Sequence, residues 1–262
     1  MIKQIDNKMS YYDLTKKERE TFKAKIENSI KLDFLNNKYE SILKYATDED
    51  TYVRRNVYIS IGKIYREEKK HRKKIISLLK ILVDNGDEKV RQVVVYSAGE
   101  IGKVNFEDII EILEQALFDH HNSVLNAVTG ALKQLGDKNP IPTLRFVKKH
   151  LRNLDTNIQV RLLHGLELRG RTHPEDILPI LAEYQDESQS KVMKMIIHIL
   201  GQISYKQGCL EKVMCILKSW KNKNLVEKAL KEIIKVHRNY AKFSYLSPEE
   251  VQDIIKKEFE TA

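Results

Sequence analysis

The sequence contains few of the residues that break helices or close tight turns. Its 262 residues include only 10 glycines and 5 prolines, which is low for a chain of many hairpins or for a sheet with glycine-rich turns. Hydrophobic residues still make up 42% of the chain, enough to form a folded core. The composition therefore predicts an all-helical protein.

Long apolar segments are also missing. The apolar runs are as short as Val93-Val94-Val95, whereas a helix that crosses a bilayer needs about 20 apolar residues. Residues 1–10 lack the apolar core of a secretory signal. We therefore expect a cytoplasmic protein with no membrane partner.

Cysteine is scarce, and the motifs of common enzymes are absent. Cys209 and Cys215 are six residues apart in one predicted helix, so we expect them to form neither a disulfide nor a metal pair. The chain contains no phosphate-binding loop and no His-Glu-x-x-His. His120-His121 lies in a predicted turn without a third ligand at a useful spacing. We expect no catalytic residue, no metal and no cofactor.

One pattern recurs along the chain: an Asp in a polar turn, then Val-Arg or an equivalent pair, then apolar residues at helical spacing. We count positions in each copy from its first apolar residue, the anchor. The anchors are Val53, Val90, Val124, Val160, Val192 and Leu225, and they are separated by 32 to 37 residues. Such a period indicates stacked helix pairs.

Helical geometry predicts which side chains of each copy are buried. Positions 0, 4, 8 and 11 after the anchor share one side of a helix, so we expect them to face the core. In the fourth copy these positions are Val160, His164, Leu168 and Arg171. A second amphipathic helix precedes each anchor, so each unit is a helix A, a short turn and a helix B.

These units resemble the HEAT-repeat family, especially its short bacterial and archaeal type, in which an Asp precedes Val-Arg at the start of the second helix. The best match runs from Ile177-Leu-Pro179-Ile-Leu181 through Asp186 to Val192 and Leu200-Gly201. The resemblance covers roughly residues 36–240 and implies an all-α, right-handed α-solenoid (a superhelix) of about six helix pairs. We expect capping helices within residues 1–35 and 241–262, and one continuous domain.

The arginines that follow three of the anchors, Arg54, Arg91 and Arg161, are expected to be structural. Solenoids often carry Asp–Arg pairs between adjacent turns, which satisfy helix ends and fix the stacking angle. The glycines nine positions after an anchor, Gly62, Gly99 and Gly201, are predicted to allow close helix packing.

Positions 2, 6, 9 and 13 after each anchor point away from the core, and we call them the B-helix face. The resemblance implies that B helices line the concave side of the solenoid. Eight of these residues are Lys or Arg and two are acidic, in a chain of net charge +9. The pattern predicts a basic concave surface that binds an acidic protein surface or a nucleic acid backbone. The candidate partner-binding residues are Arg55, Arg66, Tyr96, Lys103, Lys133, Arg169, Lys194, Lys231 and Arg238.

A weaker resemblance leaves a second function open. HEAT-like DNA alkylation repair glycosylases are also basic and of similar size, and they hold DNA in a concave groove with Trp and Tyr faces and an Asp around the lesion. Here Trp220 is predicted at the end of an A helix, and Asp137 and Glu227 are the carboxylates of the predicted face. An aromatic pair beside a carboxylate on the B-helix face would favour this alternative over a non-catalytic scaffold. The oligomeric state stays open.

Overall fold

The computed structural model describes residues 11–153, 155–186 and 189–259. All regular structure in these ranges is helical, which confirms the predicted all-α class. The predicted capping segments include residues 1–10 and 260–262, which lie outside the described residues. The α-helices are α1 (Lys16–Asn36), α2 (Glu40–Ala46), α3 (Thr51–Glu67), α4 (Arg72–Leu82), α5 (Glu88–Gly102), α6 (Ile110–Ala116), α7 (Asn122–Lys138), α8 (Pro140–His150), α9 (Thr156–Gly165), α10 (Glu167–Gly170), α11 (Pro174–Ala182), α12 (Ser190–Ser204), α13 (Cys209–Ser219), α14 (Lys223–Asn239) and α15 (Pro248–Phe259).

The helices alternate between the two roles that the sequence predicts. The A helices are α2, α4, α6, α8, α11 and α13, and the B helices are α3, α5, α7, α9 with α10, α12 and α14. None of the described helices is long and apolar enough to cross a membrane.

Several B helices begin after a polar N-cap residue that lies a fixed number of residues before the first buried one. In each case its oxygen accepts a hydrogen bond from a backbone N–H of the first turn, which would otherwise have no partner. The first buried residue then follows three positions later. These pairs of cap and first buried residue are Asp50 and Val53, Asp87 and Val90, Asp155 and Ile158, and Asn222 and Leu225.

The chain divides into two compact units, residues 1–131 and 132–262. In the first unit, α1 packs on α2 and α3, and the B helices α3 and α5 pack side by side. A Cβ on Gly62 would lie 2.4 Å from Glu100 Cβ, and one on Gly99 would lie 3.1 Å from Ala131 Cβ. These glycines therefore permit the close helix packing that the sequence predicts.

In the second unit, α12 packs between α9 and α14, and α15 packs on α13 and α14. Gly201 allows α12 and α14 to approach closely, since a Cβ there would lie 2.9 Å from Val236 Cγ2. Successive B helices are thus in direct contact, which brings side chains of neighbouring repeats within reach of one another.

The predicted helical phase is confirmed in five copies and wrong in the fourth. Ile158, Leu162 and Leu166 are buried there, whereas Val160 and His164 are only half-buried. The true anchor is Ile158, because Asp155 caps the helix three residues earlier. Val160-Arg161 matches the Val-Arg motif in sequence but does not occupy the anchor position. The residues of the B-helix face in this copy are therefore Val160, His164, Glu167 and Arg171 instead of Leu162, Leu166, Arg169 and His173.

The structural role predicted for the repeated arginines is confirmed at Arg91. Its Nε and Nη2 donate to the two carboxylate oxygens of Asp119 at 2.7 and 3.1 Å. Asp119 also accepts from the N–H of His121 at 2.7 Å, so the pair joins two successive B-helix starts. Arg54 instead donates to the carbonyl oxygens of Asp48 and Glu49.

Candidate binding face

In the first unit, two cations of the B-helix face, Lys103 and Arg66, lie near the same carboxylate, Glu100. Lys103 Nζ lies 2.5 Å from Glu100 Oε1, and Arg66 Nη1 lies 3.9 Å from Glu100 Oε2. Arg55 is exposed on α3 and forms no ion pair with a described residue. A single carboxylate therefore pairs with two of the three cations predicted for this unit.

An aromatic pair lies on the same unit. The rings of Tyr58 on α3 and Tyr96 on α5 have centroids 5.0 Å apart and are tilted by 34°. Burial raises the pKa of both hydroxyls, and the charge of nearby Glu100 adds to the effect on Tyr58. Gly130 leaves room for this pair, because a Cβ there would lie 3.3 Å from the Tyr96 ring.

In the second unit, the corrected phase places a buried carboxylate at the centre of the B-helix face. Glu167 begins α10, immediately after Leu166 interrupts the helix with an N–H bond to the carbonyl of Leu163. Its side chain is 6% exposed. A buried carboxylate requires cationic or hydrogen-bonding partners, because desolvation of an unpaired charge is costly.

Side chains from α7, α9 and α12 and the residue after α10 surround Glu167. Lys133 Nζ and His164 Nε2 each lie 3.0 Å from Glu167 Oε2, and His198 Nε2 lies 3.7 Å from it. Arg171 forms an ion pair with the other oxygen, Oε1, and also donates to Gln202 Oε1 at 2.8 Å. We call Lys133, His164, Glu167, Arg171 and His198 the Glu167 cluster.

Lys133 contacts His164 as well as Glu167. Lys133 Nζ lies 2.7 Å from His164 Nε2. Lys133 Nζ also lies 3.0 Å from Glu167 Oε2. The lysine side chain is thus held between the carboxylate and the imidazole.

The cluster strongly favours an ionised carboxylate. Burial raises the pKa of Glu167, but the nitrogen atoms of His164, His198 and Lys133 lower it by more, so the pKa lies far below its ordinary value. Glu167 is therefore an anion at neutral pH, inside a group of side chains with a net positive charge.

The other predicted residues of this unit lie in three different settings. Arg169 turns to α11, where its Nε and Nη2 contact Asp176 Oδ2 at 2.7 and 2.6 Å, so it lies off the B-helix face. Lys231 pairs with Glu227 at 2.5 Å one turn away on α14. Lys194 on α12 and Arg238 on α14 are exposed and form no ion pair with a described residue. The role of all these side chains in binding stays a prediction.

The sequence interpretation missed His164, Glu167, Arg171 and His198 as a group. The shifted phase assigned His164 and Arg171 to the core, and Glu167 fell on no predicted face. The signal that would have found them is the cap spacing, since counting three residues from Asp155 gives the correct anchor.

Trp220 is not available to a ligand on this face. It is 1% exposed, directly after α13. It therefore belongs to the core of the second unit. An aromatic cradle built on this tryptophan is excluded by its burial.

Comparison with known proteins agrees with this architecture. Residues 75–150 match the family model of HEAT repeats. This part of the chain contains HEAT repeats. The match covers the region around α4 to α8, and helix pairs also lie on either side of it.

Several solved structures are similar to this chain at low sequence identity. AlkD2 from Streptococcus mutans is 16% identical, with a TM-score of 0.50 over 87% of this chain and 99% of that one. The protein smu.31 from Streptococcus mutans UA159 is 17% identical, with a TM-score of 0.47 over 80% and 96% of the two chains. A designed armadillo repeat protein in complex with the peptide (KR)4 is 16% identical, with a TM-score of 0.35 over 72% and 97%. No curated protein matches the sequence.

Proposed function

We propose that this chain is a non-catalytic HEAT-repeat binding module that docks an acidic partner through the B helices α12 and α14. The observation that carries the proposal is the set of exposed cations on the outward sides of these helices. We call this set the α12–α14 basic surface. It comprises Lys191, Lys194, Lys228, Lys231 and Arg238.

The direction of these side chains follows from helical geometry. Val192 and Leu225 start the buried sides of α12 and α14, and the basic residues fall roughly opposite those sides at 100° per residue. Because α12 and α14 are in contact at Gly201, their outward sides adjoin. The surface therefore presents two neighbouring rows of positive charge.

Only part of this charge is compensated within the second unit. Lys231 has Glu227 as a partner, but Lys194 and Arg238 have no described acidic partner. Free cations on a rigid support suit a phosphate backbone or an acidic peptide, since each contact releases counterions or forms a charge-assisted hydrogen bond.

The test measures binding of a duplex DNA oligonucleotide and of a polyglutamate peptide by fluorescence anisotropy at low salt. The double variant K194E/R238E should bind at least about tenfold more weakly than the wild type, because it places two anions on the surface. Binding should also weaken steeply as salt is raised.

A matched control separates a local surface from net charge. The variant K221E/K256E changes the net charge equally, at exposed lysines of the same unit that lie after α13 and on α15. It should bind nearly as well as the wild type. Equal losses in both double variants, or no binding of either probe by the wild type at low salt, would contradict the proposal.

A DNA alkylation repair glycosylase-like activity is a second candidate, favoured by one observation. The Tyr58–Tyr96 pair lies beside a carboxylate, Glu100, which is one helical turn after Tyr96. AlkD2 supports the shared fold alone. The test is release of methylated base from alkylated duplex DNA, with E100Q expected to abolish it and Y96F to retain most of it. A wild-type protein that releases no base removes this candidate.

A further inference from the structure

The Glu167 cluster has the composition of a transition-metal site. His164, Glu167 and His198 each offer one ligand atom, and these atoms all lie within 4.8 Å of one another. Imidazole nitrogen and carboxylate oxygen are preferred ligands of Zn²⁺, with bonds of about 2.0 to 2.2 Å. Tetrahedral bonds of that length place ligand atoms roughly 3.3 Å apart, close to the 3.0 and 3.7 Å that separate Glu167 Oε2 from His164 Nε2 and His198 Nε2.

The position is already one that the fold uses for a cation. The ammonium group of Lys133 lies 2.7 Å from His164 Nε2 and 3.0 Å from Glu167 Oε2. A cation thus already lies beside two of the three ligand atoms, His164 Nε2 and Glu167 Oε2.

Lys133 can leave this position without disturbing the core. Its side chain is 27% exposed, and its long flexible stem lets the ammonium group move into solvent. His198 is also partly exposed, at 40%, so an ion has a route to the cluster. Glu167 is held in place independently of Lys133, because Arg171 binds its other oxygen.

We propose that His164, Glu167 and His198 form a binding site for a divalent transition metal such as Zn²⁺, in which the ion replaces the ammonium group of Lys133. The two imidazoles and the carboxylate supply three ligands, and a fourth position faces the side from which Lys133 withdraws. Three protein ligands with one open position are typical of zinc sites that bind or activate a further molecule. The site does not depend on the proposed docking function, because its ligands lie outside the α12–α14 basic surface.

Titration of chelator-treated protein with Zn²⁺ by isothermal calorimetry tests the proposal. The wild type should bind Zn²⁺ at a single site, and K133M should bind it about tenfold more tightly because the competing cation is removed. H198A in the K133M background should bind at least about tenfold more weakly than K133M, a loss comparable to that on removing support for a metal ligand. H164A should behave in the same way.

Two controls keep the result interpretable. H120A/H121A removes exposed histidines of the first unit and should leave Zn²⁺ affinity unchanged. Thermal unfolding reports folding of each variant, and Zn²⁺ should raise the melting temperature of K133M but not that of its H198A derivative. The proposal is overturned if K133M gains no affinity over the wild type, or if the H164A and H198A variants bind Zn²⁺ as tightly as their parent.

Discussion

Two buried carboxylates, one in each unit, are satisfied in opposite ways. In residues 1–131, Asp119 forms a two-point ion pair with Arg91, and the two side chains are 7% and 5% exposed. In residues 132–262, Glu167 is as well buried, but its nitrogen partners come from several helices and are themselves partly exposed. A closed pair stabilises the fold, whereas an open cluster can exchange one of its partners for a ligand.

The largest expected effect on stability comes from breaking the Arg91–Asp119 ion pair. R91M should lower the free energy of unfolding by about 3 to 5 kcal/mol, because it leaves a buried carboxylate without its cation. Urea denaturation followed by circular dichroism measures the change. A loss below about 1 kcal/mol would show that solvent reaches Asp119, and the contrast between the two sites would fail.

Breaking the Glu167 cluster should lower the free energy of unfolding by a smaller amount. E167Q should lower the free energy of unfolding by about 1 to 3 kcal/mol, the typical range for a buried hydrogen-bonded group. The loss is limited because Lys133 and Arg171 can turn to solvent when the carboxylate charge is removed. The same urea denaturation series compares the two variants, and an E167Q loss as large as that of R91M would mean that the cluster is structural.

Acid should weaken the stabilisation that the Arg91–Asp119 ion pair provides. Burial raises the pKa of Asp119, but the hydrogen bonds and charge of Arg91 lower it by more, so the folded-state pKa lies below its ordinary value of 3.8. The pair therefore stabilises the fold fully above that value and progressively less as the pH falls through the folded-state pKa.

The measurement is the difference in unfolding free energy between wild type and R91M as a function of pH. This difference should shrink as the pH falls, because both proteins then approach a protonated Asp119. A difference that grows on acidification would contradict the sign of the shift.

The smallest effect is expected at an exposed pair. Lys231 and Glu227 are 72% and 65% exposed, one turn apart on α14. K231A should change the free energy of unfolding by no more than about 0.5 kcal/mol, since solvent screens such pairs. The same variant should still weaken binding of an acidic partner, which a combined denaturation and anisotropy experiment can separate.

The sequence predicts the fold well because helical periodicity is a local property. Apolar residues at positions 0, 4, 8 and 11 mark the buried sides of five B helices correctly. The fourth copy fails because Val160-Arg161 matches the motif, whereas the cap Asp155 and the interruption at Leu166 set the true phase.

The candidate sites depend on contacts between repeats, which periodicity alone does not specify. Lys133 and Glu167 are 34 residues apart, and their pairing requires the spacing of two neighbouring B helices. Arg66 on α3 lies 3.9 Å from Glu100 on α5, a residue outside the four predicted positions, for a related reason. Ion pairs across repeats are fixed by packing.

Anomalous diffraction from crystals grown with equimolar Zn²⁺ tests most directly whether Glu167 belongs to a metal-binding site. The predicted result is one strong zinc peak within about 2.2 Å of Glu167, His164 and His198 ligand atoms, with the Lys133 side chain displaced toward solvent. A zinc peak at other histidines, with Lys133 still between Glu167 and His164, would contradict the account.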